Sequence, residues 1–265
     1  MSGSARPSQL RLALRKPWYW AWSMLEKLMF SGRSYTLLAP WGHRVLTPWF
    51  DTREDPGFRY AYSLARHGGS MTVTPDRCYL LYRFSREALL REGEVAECGV
   101  FQGGTAHLLA QTIRDAGGHA RRLHLFDTFQ GMPDDTQPAR DYHAPGDFAD
   151  TSLRSVRRRL ADYDFAAFHP GRVPETFEEL DQGLRFVFVH LDMDIYQPTL
   201  EACRWFWPRM VAGGVMMFDD YGFYPYRDAA RAAVEAWFAH EPETPIALPT
   251  GQGLAIKSSG GVSGY

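Results

Sequence analysis

From Glu94 onward, apolar and polar residues fall into a regular alternation of short β-rich runs and segments with helical spacing. EVAECGVF is the first such run, and helical spacing follows over 105–116. RLHLFDTF predicts the next strand and 152–160 the next helix; AAFHPGRV then predicts a short strand, and 174–182 a helix with proline at its first turn. RFVFVHLDMD is a continuous apolar run of the kind found in strands covered on both faces, and GGVMMFDD is another. Helical spacing occupies 198–210 between them, and Ala229, Ala230, Ala233, Val234, Trp237 and Phe238 line one helix face afterwards. PIALPTGQGLAIKS closes the series as an antiparallel hairpin. Strands alternating with helices predict an α/β fold: a Rossmann-like, doubly wound, mostly parallel sheet ending in that hairpin.

The pattern before Glu94 is mixed. Residues 1–9 read as a disordered tail, and 10–91 as an N-terminal helical or irregular segment for acceptor or oligomer contacts. In it, Trp18, Trp20, Trp22, Leu25, Leu28 and Met29 form one helical stripe, and YLLYRFSREALL (79–90) predicts a helix leading into the core. The sheet domain is expected over 92–258, with 259–265 as a flexible tail.

Composition narrows the function classes. A net charge of −2 over 265 residues gives no reason to expect a nucleic-acid partner. Cys78, Cys98 and Cys203 are too few and too scattered for a disulfide framework or a zinc site, so a cytoplasmic location is expected. Without a run of about 18 apolar residues, no transmembrane helix is expected. The stripe at 17–30 lacks the cleavage pattern of a signal peptide; packing on the domain or on a second subunit is the preferred reading over contact with a membrane surface. A homo-oligomer is therefore an expectation.

Open parallel sheets bind ligands at the carboxyl ends of their strands. In ECGVFQGG, Gly99, Gly103 and Gly104 allow a tight turn and a close backbone approach ahead of a helix N-terminus. Asp127, ending RLHLFD, is placed to accept hydrogen bonds from ribose hydroxyls, in either a dinucleotide or S-adenosylmethionine. HLDMD and FDD then put Asp192, Asp194, Asp219 and Asp220 at the ends of two core strands. Carboxylates converging there would repel one another unless a cation binds, and hard oxygen donors favour Mg²⁺, Mn²⁺ or Ca²⁺ over Zn²⁺. Hydride transfer has no use for such a cluster. Methylation of a poorly acidic hydroxyl has, because a metal lowers the pKa of the acceptor oxygen and an adjacent aspartate takes its proton.

AECGVFQGGTA, LFDTFQGMP, FHPGRVPETF, HLDMDIYQPTLEA and GGVMMFDDYG together resemble, in this order, the macrocin O-methyltransferase family, over roughly residues 70–257. The resemblance implies a Mg²⁺-dependent, S-adenosylmethionine-dependent O-methyltransferase acting on a sugar hydroxyl of a glycosylated small molecule. It also implies site roles. Glu97 and Gly99 would contact the methionine end of the cofactor and Asp127 the ribose, with Cys98, Gly103, Gly104, Thr105, Thr128 and Asp192 in the same cofactor-binding set. Asp192, Asp219 and Asp220 would fill the metal positions, and Asp192 or Asp194 would be the base. FHPGRVPETF departs from the family's lysine-glycine version of that turn, and the N-terminal third matches poorly, which leaves the acceptor open. The alternatives are a catechol-type phenol O-methyltransferase, a dinucleotide oxidoreductase, or a non-catalytic nucleotide-binding module.

Two further segments carry expectations. Residues 130–150 form a long polar stretch read as a lid over cofactor and acceptor, with His143 facing the acceptor or solvent. Arg154, Arg157, Arg158 and Arg159 make a basic helix whose face is expected to be solvated.

Overall fold

A computed structural model of the chain describes residues 55–67, 71–118, 120–134, 136–137 and 139–259. All of them fall in one compact unit beginning at Thr52. The Trp-rich stripe and both predicted tails, except Ser259, lie outside the described residues.

Among the described residues two helices precede the sheet, α1 (Pro56–Arg66) and α2 (Pro75–Ala88). Each starts on a proline, whose missing N–H costs nothing in the first turn. Asp55 caps α1 by accepting the Phe58 amide at 2.9 Å. Phe58, Ala61 and Ala65 are the buried stripe of α1, spaced to fall on one face.

The alternation predicted after Glu94 is present: β1 (Glu94–Cys98), α3 (Gly104–Asp115), β2 (Leu123–Asp127), α4 (Leu153–Arg159), β3 (Ala166–Pro170), α5 (Glu175–Glu178), β4 (Phe186–Leu191), α6 (Tyr196–Phe206) and β5 (Met210–Phe218). After them come α7 (Ala232–Phe238) and the hairpin strands β6 (Ile246–Ala247) and β7 (Gly253–Ile256). The seven strands among the described residues are ordered β3-β2-β1-β4-β5-β7-β6, parallel from β1 to β5, with β7 antiparallel to β5.

The sheet separates two cores. Val95 and Leu125 pack with α1–α4, while their neighbours Ala96 and Phe126 pack with α5–α7 on the other face, following the period of two along a strand. The strand order reverses between β1 and β4. A crevice therefore opens at their carboxyl ends, where a ligand fits.

Candidate functional site

The turn after β1 makes the floor of that crevice. Gly99 has φ +88, and a Cβ there would collide with the backbone of Asp192, so only glycine lets the β1 and β4 ends come this close. The Asp192 amide donates to Cys98 O at 2.8 Å and locks the approach. Gly103, at φ +79, turns the chain into α3.

Asp127, ending β2, ties this turn down. One carboxylate oxygen accepts the Val100 and Phe101 amides at 2.7 and 2.8 Å. The other accepts the Phe129 amide at 2.6 Å. Above this floor is a cavity of about 260 Å³, lined among others by Gly99, Gly104, Thr105, Asp127, Thr128 and Asp192. Glu97, Cys98 and Gly103 belong to the same segment but do not line the cavity. Glu97 and Cys98 are fully buried in the strand.

Asp192, Asp194, Asp219 and Asp220 all line the cavity as well. One oxygen from each of Asp192, Asp194 and Asp220 lies within 4.8 Å of the other two, and Asp192 and Asp219 meet His190 in the same way. The structure thus brings together the four sequence-predicted carboxylates as two overlapping groups sharing Asp192. Asp194 sits at φ +62, an uncommon backbone conformation for a residue with a Cβ. Burial, and then the charge of Asp220, push the Asp192 carboxyl up to about 7. Burial and the charges of Asp220 and Asp192 push Asp194 well above the usual carboxylate range. Asp220 Oδ2 is buried with no hydrogen-bond partner. Hard donors, mutual repulsion and an orphaned oxygen together fit a small divalent cation.

Several residues around these aspartates were not singled out from the sequence. Asp219 is gripped on both oxygens: Gln252 Nε2 donates to Oδ1 at 2.6 Å, and Arg77 of α2 donates to Oδ2. The Arg77 guanidinium stacks 4.8 Å from the centre of the Phe223 ring. His190 Nδ1 meets Glu97 Oε1 at 2.9 Å.

The 130–150 segment borders the cavity through Gly131, Met132, Pro133 and Phe148. His143 does not line the cavity; it meets Asp147 through Nδ1 at 3.1 Å and Tyr226 through Nε2 at 3.0 Å, 3.9 Å from Asp194. The basic helix is largely as expected. Arg154, Arg157 and Arg158 are exposed, whereas Arg159 turns inward to donate to Gln102 O at 3.0 Å and to Ala65 O. Among the described residues, no helix is long and apolar enough to cross a membrane.

The chain is 31% identical over 147 residues to 8-demethyl-8-(2,3-dimethoxy-alpha-L-rhamnosyl)-tetracenomycin-C 4'-O-methyltransferase of Streptomyces olivaceus, covering 52% of this chain and 56% of that one. It is 29% identical over 158 residues to mycinamicin III 3''-O-methyltransferase of Micromonospora griseorubida, covering 54% and 62%. The matches thus span little more than half the length of these relatives. In structure it superposes on the O-methyltransferase NovP with a TM-score of 0.63 at 21% identity, over 75% of this chain and 89% of that one. That likeness confirms the Rossmann-like fold. The family model described as macrocin O-methyltransferase (TylF) matches residues 86–247, well over half of the chain, and the chain belongs to that family.

Proposed function

We propose that this chain is an S-adenosylmethionine-dependent O-methyltransferase that methylates a sugar hydroxyl on a glycosylated small molecule with the help of a divalent cation, Mg²⁺ first. The observation that carries the reading is the aspartate cluster, Asp219 and Asp220 buried and Asp192 and Asp194 half-buried, facing a cavity whose floor is the glycine turn after β1. The named relatives act on a rhamnosyl tetracenomycin and on mycinamicin III, and a third, 28% identical over 145 residues, on demethyldecarbamoylnovobiocin. An S-adenosylhomocysteine-bound methyltransferase of Podospora anserina shares the fold at a TM-score of 0.50.

In this reading Gly99, Gly104 and Thr105 receive the methionine end of the cofactor, and Asp127 and Thr128 the ribose side. Asp192, Asp219 and Asp220 hold the cation, which lowers the pKa of the acceptor hydroxyl when bound. Asp192 is shared by both acidic groups and so serves the cation; Asp194, which stands with Asp192 and Asp220 and lies 3.9 Å from His143, is the proposed base for the hydroxyl proton.

The test is transfer of labelled methyl from S-adenosylmethionine to deoxysugar-bearing acceptors, with catechols as the comparison set and EDTA as the control. Transfer to sugars that stops in EDTA and returns with Mg²⁺ is expected. Transfer to catechols alone supports the phenol alternative, and full transfer in EDTA removes the cation from the reaction.

A further inference from the structure

Phe148 and Phe101 hold backbone conformations that residues with a Cβ rarely adopt, at φ +63 and +49. They meet from two loops, Phe101 from the turn after β1 and Phe148 from the segment after β2. That segment is pinned on both sides of Phe148. Before it, the Met132 amide donates to Asp147 O at 2.8 Å. After it, Gln102 Nε2 donates to Asp150 O at 2.9 Å, and Thr151 Oγ1 donates to Phe101 O. The two rings stand edge to face with centroids 5.3 Å apart. Glycine would take either conformation without strain, so what phenylalanine adds at these positions is its ring.

The Phe148 ring is not spent on the core. The residue is 38% exposed, and of the exposed large apolar side chains among the described residues it is the one that lines the cavity. Phe101 and Tyr226 line the same cavity. His143, which does not, joins them: its ring lies 4.8 Å from that of Phe148 and stacks 5.7 Å from that of Tyr226. Its Nε2 meets the Tyr226 hydroxyl at 3.0 Å and lies 3.9 Å from Asp194 Oδ2. The aromatic row therefore ends beside the carboxylate proposed as the base. One side of the cavity is acidic and the adjoining side is aromatic, and the phenylalanine rings offer no hydrogen bond. A sugar matches both, with hydroxyls around its rim and C–H groups on its faces. We infer, resting on the sugar-methylation reading above, that Phe101, Phe148 and Tyr226 form the acceptor subsite and pack the C–H face of the sugar so that one hydroxyl meets Asp194. Aromatic side chains suit this task because they give broad, rigid contact at little cost in side-chain freedom.

Phe148→Gly, Phe148→Tyr and Tyr226→Leu test the assignment. The probe is methyl α-L-rhamnoside, which carries a rhamnosyl group like that of one relative's substrate and no aglycone. Nuclear magnetic resonance follows its binding as saturation passed from the protein's aromatic protons to the sugar C–H protons, with S-adenosylhomocysteine and Mg²⁺ present. KM for methyl transfer and, by calorimetry, S-adenosylhomocysteine affinity are measured alongside, with circular dichroism to establish folding. Phe148→Gly and Tyr226→Leu should each raise KM for the rhamnoside about tenfold and lose most of the saturation signal. Phe148→Tyr keeps the ring and should restore both. S-adenosylhomocysteine affinity should stay at the wild-type value in all three. An equal loss of S-adenosylhomocysteine affinity overturns the proposal, because the rings then belong to the cofactor's site. Wild-type KM and saturation in Phe148→Gly and Tyr226→Leu overturn it as well. If Phe148→Gly does not fold, Phe148→Asn, which tolerates a left-handed backbone, is held to the same measurements. Wild-type protein that neither binds nor methylates the rhamnoside removes the sugar reading and this inference together, whereas wild-type methylation with unaffected variants removes only the inference.

Discussion

The Asp141 carboxylate, in the segment after β2, accepts the Tyr196 backbone amide at 2.9 Å and thereby caps the helix that follows β4. Ile195, at the cap position of α6, offers no side-chain hydrogen bond of its own. The second Asp141 oxygen accepts the Gln137 amide at 2.6 Å, so one buried side chain fastens the 130–150 segment to the helix leading out of the aspartate cluster. Asp141→Ala leaves both amides without this partner and is expected to cost about 1–2 kcal/mol. Thermal unfolding reads the loss. Hydrogen exchange over residues 139–148 should quicken in the same variant, and unchanged exchange would mean the segment is anchored elsewhere.

Asp127 does two jobs in the proposed reading, and its substitution separates them. Its carboxylate already holds the Val100, Phe101 and Phe129 amides, so the turns after β1 and β2 depend on it before any ligand arrives. Asp127→Ala should lower stability by about 1–3 kcal/mol and weaken S-adenosylhomocysteine binding by a similar amount. Calorimetry on the folded variant checks the second figure. Wild-type affinity would show that Asp127 shapes the floor without touching the ribose.

The elements were legible where burial is simple. Parallel strands covered on both faces leave continuous apolar runs, and the aspartates that end those runs in HLDMD and FDD stand out against them. Helix α5 shows what local spacing misses: predicted over 174–182, it stops after Glu178, and the Gly183 amide turns back onto Asp181 Oδ1 at 2.8 Å. Relations that depend on register were not legible. Arg77 and Asp219 are 142 positions apart, and nothing in the helical spacing around Arg77 marks it as the partner of a strand-end carboxylate. Glu97 and His190 become a pair only once β1 and β4 are known to be neighbours.

Gly99 should be among the least replaceable residues of the site. Gly99→Ala must adopt a left-handed φ of +88 and also drive a Cβ into the Asp192 backbone. The conformational term alone costs about 1–3 kcal/mol, and the collision adds to it by parting β1 from β4. Expected outcomes are a lowered midpoint of thermal unfolding and loss of S-adenosylhomocysteine binding in whatever folds. A variant with wild-type melting would contradict the close packing of these two strand ends.

The aspartate cluster should make the cation-free protein sensitive to pH in a defined direction. The Asp192 carboxyl is pushed up to about 7 by burial first and by Asp220 second. An aspartate in the unfolded chain titrates near about 3.9. Between these values the folded protein holds a proton that the unfolded chain has released, so stability from this group is complete below about pH 4 and is lost as the pH rises through about 7. In EDTA the melting temperature should therefore fall from pH 5 toward pH 8, while Mn²⁺ affinity rises over the same window because cation and proton compete for the carboxylates. Asp220→Asn removes one of the repelling charges with little change in volume. In EDTA at pH 8 it should melt higher than wild type, the gap should narrow at pH 5, and Mn²⁺ binding should be lost. A variant that melts lower than wild type at pH 8 would show that the 3.5 Å contact of Asp220 with Arg77, and not carboxylate repulsion, governs this end of the sheet.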